Sequence, residues 1–245
     1  MKKYLEILKK CPLFAGIDVA DLLAMTSCLG AETADFARGD VIFAEGEPAR
    51  RMGLMLSGSA QIIKTDYFGK RTILTRAEAG ELFGESFACA QLSELPVSVM
   101  AAEDCRVLLM DCQRLLTTCS NSCDFHNKLI FNLLKVVATK NLMFNQKIEI
   151  TSKRTTREKL LTYLNLQAKN HGNNSFTIPF DRQELADYLE VDRSGLSAEI
   201  SKLRKEGLLE CERNRFRLLL TILSRTKIFQ LGGSIFAGAV VNLIS

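Results

Sequence analysis

The sequence predicts an α+β protein in which a region of short strands, one long helix and a small helical region follow one another. Seven glycines between residues 39 and 84 separate short apolar runs, which indicates an antiparallel β-barrel or jelly roll. Apolar residues then recur at heptad spacing between residues 124 and 150, as in a helix that pairs with another helix. Residues 181–217 contain two short amphipathic segments around a tight break, which is typical of two packed helices.

Length and composition indicate a globular protein with room for two modest domains. The chain has 245 residues, 47% of them hydrophobic and 24% charged, and a net charge of +4. That charge permits nucleic-acid binding without arguing for it. The N-terminal residues 1–14 lack the apolar core and cleavage site of a signal peptide. We therefore predict a cytoplasmic protein with reduced thiols and no membrane contact.

The strand-rich region extends from about Thr33 to Met110 and follows a segment, residues 4–31, with a helical pattern. The predicted strands are residues 41–43, 54–56, 61–63, 72–74, 97–99 and 107–110. Residues 66–70 (DYFGK) form the predicted turn of a hairpin. Short strands at this spacing favour an antiparallel barrel or sandwich.

The long helix predicted from Asp124 to Ile150 carries a heptad seam. The seam residues are Ile130, Leu134, Val137, Asn141, Phe144 and Ile148. A seam of this length predicts a homodimer in which two copies of the helix pair, with Asn141 fixing the register. The alternative is that the seam packs on the strand-rich region of its own chain.

The C-terminal pattern is that of a winged helix-turn-helix. Two short helices surround a break at residues 190–192, and Asp192 and Gly207 are the predicted ends of the second helix. Their apolar sides are Leu185, Ala186 and Leu189 in the first helix and Leu196, Ile200 and Leu203 in the second. The predicted strands around them are residues 176–180, 208–211 and 215–219. The second helix of such a motif lies in the DNA major groove, which predicts double-stranded DNA as a partner.

The eight cysteines form no C-x-x-C pair, and their irregular spacing is typical of scattered small apolar residues. The alternative is a metal or redox site, because Cys112, Cys119 and Cys123 could share one face of a helix. No cofactor is expected. An enzyme is not indicated, since the sequence has no nucleophile–base motif and no glycine-rich phosphate loop. The two histidines, His126 and His171, are predicted to be surface residues.

Four stretches, residues 39–46, 54–58, 80–85 and 192–197, resemble motifs of the cAMP receptor protein/FNR superfamily of bacterial transcription regulators. The resemblance covers roughly residues 10–219. It implies a cyclic-nucleotide-binding-like jelly roll as the effector domain, a dimerisation helix and a DNA-binding domain, in a homodimer that binds a palindromic operator and contacts RNA polymerase. The implied domains are residues 1–123, 124–150 and 151–219. Residues 220–245 form an extension of unclear status, interpreted as poorly ordered or foreign, and a membrane anchor is the alternative, since residues 228–244 of this glycine-containing segment are uncharged.

One departure from the family pattern concerns the ligand. Members that bind cAMP have an Arg-Ser pair about ten residues after the glutamate of the phosphate-binding cassette, and the Arg pairs with the cyclic phosphate. Here Leu95 and Pro96 stand at that distance from Glu85. Gly84, Glu85, Leu95 and Pro96 therefore mark a candidate effector pocket for an unknown small molecule other than cAMP. The cysteine run near the N-terminus of FNR is also missing.

The resemblance also implies which residues contact DNA. Arg193 is the expected base reader, since a guanidinium can donate two hydrogen bonds to guanine, and Ser194 and Ser197 are expected to face the same groove. Family members often have Glu at the first of these serines and a second Arg where this chain has Ala198, so the operator should differ. The expected phosphate contacts are Gln183, Lys153, Arg154, Arg157, Lys202, Arg204 and Lys205.

The implied mechanism is a population shift in which an effector biases the helix pair and sets the spacing of the two DNA-reading helices. Two alternatives stay open. One is a regulator that senses redox state or metal through Cys112, Cys119 and Cys123. The other is a cyclic-nucleotide-binding-like interaction module that does not bind DNA.

Overall fold

The computed structural model describes residues 4–19, 21–22, 28–116 and 124–219. The chain forms two compact units that divide after Thr151. The N-terminal unit combines two antiparallel four-stranded sheets with helices, and the C-terminal unit combines helices with a three-stranded sheet. This arrangement confirms the α+β class, with a jelly-roll-like sheet domain, a long helix and a winged helix-turn-helix.

The N-terminal unit contains the helices α1 (Leu5–Lys10), α2 (Glu85–Cys89), α3 (Cys112–Leu116) and α4 (Asp124–Thr151). Its strands are β1 (Glu32–Phe36), β2 (Val41–Phe43), β3 (Arg51–Ser57), β4 (Ala60–Thr65), β5 (Arg71–Ala77), β6 (Leu82–Phe83), β7 (Ser98–Ala101) and β8 (Cys105–Asp111). The C-terminal unit contains α5 (Thr156–His171), β9 (Ser175–Thr177), α6 (Arg182–Leu189), α7 (Arg193–Lys205), β10 (Leu209–Glu212) and β11 (Arg215–Leu218).

The sheets have the strand orders β1-β8-β3-β6 and β2-β7-β4-β5. Strand β3 is buried on both faces, which explains its continuous apolar run. Its Leu54 packs in a cluster with Leu129 and Leu133 of α4. The next residue, Met55, points the other way and packs in a second cluster with Ile62 of β4, because side chains alternate along a strand. One sheet therefore separates an interior core from a core beneath the helices.

The hairpin predicted at residues 66–70 joins β4 to β5. The backbone N–H of Asp66 donates to the Lys70 carbonyl at 3.0 Å, and its carboxylate accepts the N–H groups of Phe68 and Lys70, both at 2.9 Å. An Asp that bonds the backbone in this way stabilises a tight turn. The turn prediction is confirmed.

Several short elements of the N-terminal unit were not predicted. The helical pattern over residues 4–31 is interrupted, since α1 ends at Lys10, a 3₁₀ turn follows at Pro12–Phe14, and Gly16 has a φ of 72°. Strand β1 has a mostly exposed, polar sequence, and β6 has only two residues. Neither gives a clear period, so their partners in the sheet determine them.

Helix α4 has 28 residues. The buried residues from His126 onward lie on one side of it, where Leu129, Leu133 and Val136 pack in the core beneath the helices. On that side Asn132 donates to the carbonyls of Leu13 and Ala15, both at 2.9 Å. His126 also lies there, 4% exposed, with Nε2 3.0 Å from the Leu115 carbonyl oxygen. The prediction that His126 is a surface residue is therefore wrong, because the helix begins against α3 rather than in solvent.

The C-terminal unit is a winged helix-turn-helix. The sheet order β10-β11-β9 places the wing hairpin beside β9, and Arg213 at the hairpin turn has a φ of 52°. The first strand is shorter than the predicted residues 176–180, because after Thr177 only the Ile178 N–H continues the pairing, to the Asn214 carbonyl at 3.0 Å. The core contains Leu164, Phe180, Leu185, Leu189, Leu196, Leu203 and Phe216.

None of the helices in the described ranges combines the length and hydropathy that a membrane span requires. The predictions for residues 220–245 lie outside the described residues.

Candidate nucleic-acid interface

The turn between α6 and α7 is fixed by side-chain hydrogen bonds at both helix starts. Asp181 and Glu184 form a reciprocal capping box at α6. Helix α6 ends at Leu189, and the C-cap residue Glu190 has a left-handed φ of 55°. At α7 the Asp192 carboxylate accepts the Gly195 N–H at 3.0 Å, as the sequence predicted. The hydroxyl of Ser194 also donates to Asp192, and these bonds lower the pKa of the Asp192 carboxyl.

Replacing Asp192 with alanine is expected to lower the urea midpoint of the C-terminal unit at pH 7, because two donors at the start of α7 lose their acceptor. A carboxyl with a depressed pKa in the folded state stabilises above its unfolded pKa, and this contribution is lost as the pH falls through the folded value. The difference between the wild type and Asp192→Ala should therefore shrink from pH 7 toward pH 3. Circular dichroism during urea unfolding measures it.

The matched control for this prediction is Asp192→Asn, since asparagine caps helices about as well but carries no charge. It should stay closer to the wild type than the alanine variant does at pH 7. Equal midpoints for the wild type and the alanine variant would contradict the capping role of Asp192.

Arg193 lies in the first turn of α7 and is exposed. It forms no ion pair with any described residue. Leu196, Ile200 and Leu203 hold α7 on the core, so this helix start is fixed while the guanidinium is available. Ser197 is half-buried. The Ser194 hydroxyl already donates to Asp192, a structural role that was not predicted from the sequence.

The predicted phosphate contacts differ in their surroundings. Arg154 and Lys202 are exposed, and Lys153 is half-buried. The side-chain amide of Gln183 donates to the Asp187 carboxylate at 2.8 Å, so it is occupied within α6. Arg204 and Lys205 are exposed, like Arg154 and Lys202. The assignment of these residues as phosphate contacts stays a prediction.

The guanidinium of Arg157, a predicted phosphate contact, is engaged within the protein. Its guanidinium donates to Glu199 at 3.2 Å and to Glu206 at 3.1 Å, and the bond to Glu206 raises the pKa of Arg157. Arg157 thus ties α5 to α7. Sequence spacing could not show this, because the partners are more than 40 residues away.

The wing adds cations that the sequence reading did not select. Arg215 and Arg217 of β11 lie with Arg204 around a shallow depression, and Arg217 is paired with Glu210 at 3.4 Å. The alternation of Arg215, Phe216 and Arg217 in the sequence could have identified these two arginines. Because Phe216 is buried, both arginines lie on the outer face of the strand.

The candidate effector residues lie in two different settings. Gly84 is the N-cap of α2 and has a φ of 76°, and a Cβ there would lie 3.1 Å from the Phe43 ring. Glu85 follows and is 2% exposed, with its carboxylate 2.9 Å from Nζ of Lys140 in α4. The second oxygen of that carboxylate, Oε2, has no hydrogen-bond partner among the described residues. Glu85 therefore connects α2 to the long helix.

Leu95 belongs to the interior core, whereas Pro96 is exposed and its carbonyl accepts a hydrogen bond from Lys64 at 2.7 Å. The fold thus brings the Lys64 cation to this loop, although the sequence around Pro96 contains no cation. Its charge is paired with Glu45. This pairing weighs against a phosphate group at the loop.

The outer side of α4 is apolar and exposed. Among the seam residues, Leu134 is 65% and Ile148 62% exposed, and Phe144 is 39% exposed. Ile130 and Val137 are partly covered by the unit's own core. The alternative that the seam packs on its own chain therefore holds only for these two residues.

The proposed cysteine cluster lies only partly within the described residues. Cys112 is buried at the start of α3, whereas Cys119 and Cys123 lie outside the described residues. In the described part of the chain, no group of three or more His, Cys, Asp or Glu could hold a metal ion. The sulfur of Cys112 instead lies 3.1 Å from that of Cys89, at the end of α2.

Family models match both units. The cyclic nucleotide-binding domain model matches residues 33–122, and the Crp-like helix-turn-helix domain model matches residues 158–228. Together they cover well over half of the chain. The chain belongs to the Crp/Fnr family, which consists of transcription regulators rather than enzymes.

Individual relatives agree with this assignment. A CRP-like cAMP-activated global transcriptional regulator of Mycobacterium tuberculosis is 35% identical over 80 residues, which are 33% of this chain and 35% of that relative. The transcriptional activator protein FnrA of Stutzerimonas stutzeri is 23% identical over 76% of this chain and 75% of its own length. The c-di-GMP responsive global regulator CLP of Xanthomonas campestris has the same fold, with a TM-score of 0.67 at 19% identity, over 83% of this chain and all of that chain.

Proposed function

We propose that this protein regulates transcription as a homodimer that binds a palindromic duplex site with α7 of each copy. The proposal depends on the position of Arg193 at the start of α7, a helix that is packed on its core. The guanidinium of Arg193 is exposed and has no ionic partner among the described residues. A side chain in this position of a recognition helix can reach base edges in the major groove. The protein would act in the cytoplasm and contact RNA polymerase.

The homodimer is supported by the outer side of α4. Leu134, Phe144 and Ile148 would lose contact with water on pairing, at roughly 25 cal/mol per Å² of apolar surface. Two-fold pairing gives two copies of α7, and such dimers bind half-sites about 34 Å apart. Arg154, Lys202 and the wing arginines are the side chains that could neutralise phosphates beside each half-site.

The regulation we propose acts through Glu85 and Lys140. A small molecule that binds near α2 would compete for the buried Glu85 carboxylate and so change its ion pair with α4. Because α4 also carries the dimer surface, the ligand would bias the arrangement of the two copies. The relatives are named for different ligands, cAMP for one and c-di-GMP for another, so the fold alone does not specify the effector.

The ligand is expected not to be cAMP. Leu95 is packed in the core, and Lys64, the cation that donates to the Pro96 carbonyl, is paired with Glu45. Isothermal titration calorimetry of the full chain with cAMP should therefore give no micromolar binding. The mycobacterial regulator, titrated in parallel, is the positive control. A micromolar dissociation constant for this chain would contradict the prediction.

Selection from a random duplex library tests the function. The full chain should enrich one motif with two-fold symmetry. If the protein is folded and dimeric but enriches no duplex, the result would favour an interaction module that does not bind DNA.

A further inference from the structure

Two cysteines that are far apart in the sequence meet between α2 and α3. Cys89 ends α2 and Cys112 begins α3, and their sulfur atoms are 3.1 Å apart. Both are free thiols. We propose that Cys89 and Cys112 are a redox-sensitive pair that a hydroperoxide oxidises to an intramolecular disulfide. Closure to a bond of about 2.05 Å requires the sulfurs to approach by only about 1 Å.

The two thiols differ in access and acidity. Cys89 is half-buried, whereas the side chain of Cys112 is fully buried. The hydrogen bond from Cys112 lowers the pKa of Cys89, although burial and the Glu85 charge oppose this. The same contact, together with burial, raises the pKa of Cys112. Loss of a proton is therefore favoured on Cys89 over Cys112, and Cys89 is also the sulfur that an oxidant can reach, as expected of a peroxide-sensitive cysteine.

The oxidation can be written as two displacements. In the first, the Cys89 thiolate attacks one oxygen of hydrogen peroxide, an S–O bond forms, the O–O bond breaks, and the departing hydroxide takes up a proton to become water. In the second, the Cys112 thiol loses its proton and attacks the Cys89 sulfenic sulfur, forming the S–S bond and releasing the second water. Two thiols lose two electrons and two protons in total, and the peroxide is reduced to two molecules of water.

The other described cysteines lack this arrangement. Burial raises the pKa of Cys11 to about 11 and also raises that of Cys105. Cys28 is exposed and Cys211 is half-buried. Within the described ranges, Cys89 and Cys112 form the one pair of cysteines whose sulfurs are in contact. Cys105 is therefore a suitable control residue.

A disulfide here would act on the helix that carries Glu85. Helix α2 has five residues, with Glu85 at its first position and Cys89 at its last. A covalent link to α3 would fix one end of α2 and so alter the Glu85–Lys140 contact at its other end. An effect on DNA affinity follows only if the proposed function is correct, whereas formation of the disulfide does not depend on it.

Peptide mapping of the full chain tests the pair. The reduced protein is treated with hydrogen peroxide, blocked with N-ethylmaleimide, digested with trypsin without reduction, and analysed by mass spectrometry. We expect a cross-link between residues 77–106 and residues 107–114 that dithiothreitol reverses. Because residues 77–106 contain both Cys89 and Cys105, the variants assign the bond. Cys105→Ser should retain the cross-link, and Cys89→Ser should lose it.

In Cys112→Ser the reaction should stop at Cys89 with one added oxygen, which dimedone traps as the sulfenic acid. A cross-link to residues 115–128, which contain Cys119 and Cys123, would overturn the pairing, as would a folded wild-type protein without any cross-link. In a second measurement, the affinity for the selected duplex should change at least about threefold on oxidation of the wild type and stay constant in Cys89→Ser. If the disulfide forms and the affinity is unchanged, the regulatory consequence is refuted and the DNA-binding function is not.

Discussion

Replacing Arg193 with alanine is expected to remove most of the sequence selectivity of the dimer. A bidentate arginine–guanine contact is worth about 1–3 kcal/mol of discrimination, so two copies give a loss of at least about 30-fold. The affinity for the selected duplex should fall toward the affinity for a scrambled duplex. The affinity for the scrambled duplex should stay the same, because it depends on phosphate contacts. Competition measured by fluorescence anisotropy gives both affinities.

Lys202→Ala is the matched control for this prediction. Lys202 is an exposed cation near the other end of the same helix. Its loss should weaken binding to both duplexes by a similar factor and reduce the salt dependence, because a phosphate contact carries no base information. If Arg193→Ala keeps the wild-type ratio of the two affinities, Arg193 is not the base reader.

Introducing lysines at Leu134 and Ile148 is expected to convert the dimer to a monomer. Burial of an exposed leucine or isoleucine contributes about 1.5–3 kcal/mol per side chain, and a two-fold interface contains each of them twice. The new ammonium groups would instead face their symmetry mates without an opposite charge. Sedimentation velocity should show the monomer, and DNA affinity should fall about 100-fold or more with the loss of bivalent binding.

The control for this prediction is Gln146→Lys, an exposed position on the opposite side of α4 from the seam. It introduces the same side chain without touching the proposed contact, so it should remain dimeric. The proposal would be wrong if the wild type were monomeric at micromolar concentration, or if the double variant still formed a dimer.

The helix-turn-helix could be predicted from sequence because its determinants are local. The Asp192 cap and the spacing of Leu196, Ile200 and Leu203 lie within a dozen residues and fix both the start of α7 and its buried face. Strand β3 was also apparent from its apolar run. In contrast, β1 is exposed and polar, and it is a strand only because it pairs with β8.

The candidate site was less predictable where side chains depend on distant partners. Glu85 and Lys140 are 55 residues apart, and Cys89 and Cys112 are 23 apart. Their contacts arise because α2 packs against α4 and α3. The periodicity of the sequence does not predict this packing. The sequence likewise predicted Arg157 as a phosphate contact, but in the fold its guanidinium is paired with two glutamates.

Methylation interference on the selected duplex tests whether Arg193 of each copy contacts a guanine in the major groove. The reagent dimethyl sulfate modifies guanine N7 in the major groove, the atom that Arg193 should contact. A methylated guanine in each of two half-sites, one helical turn apart, should block binding by the wild type and should not further weaken binding by Arg193→Ala. An identical interference pattern for both proteins, or interference confined to a single half-site, would contradict this expectation.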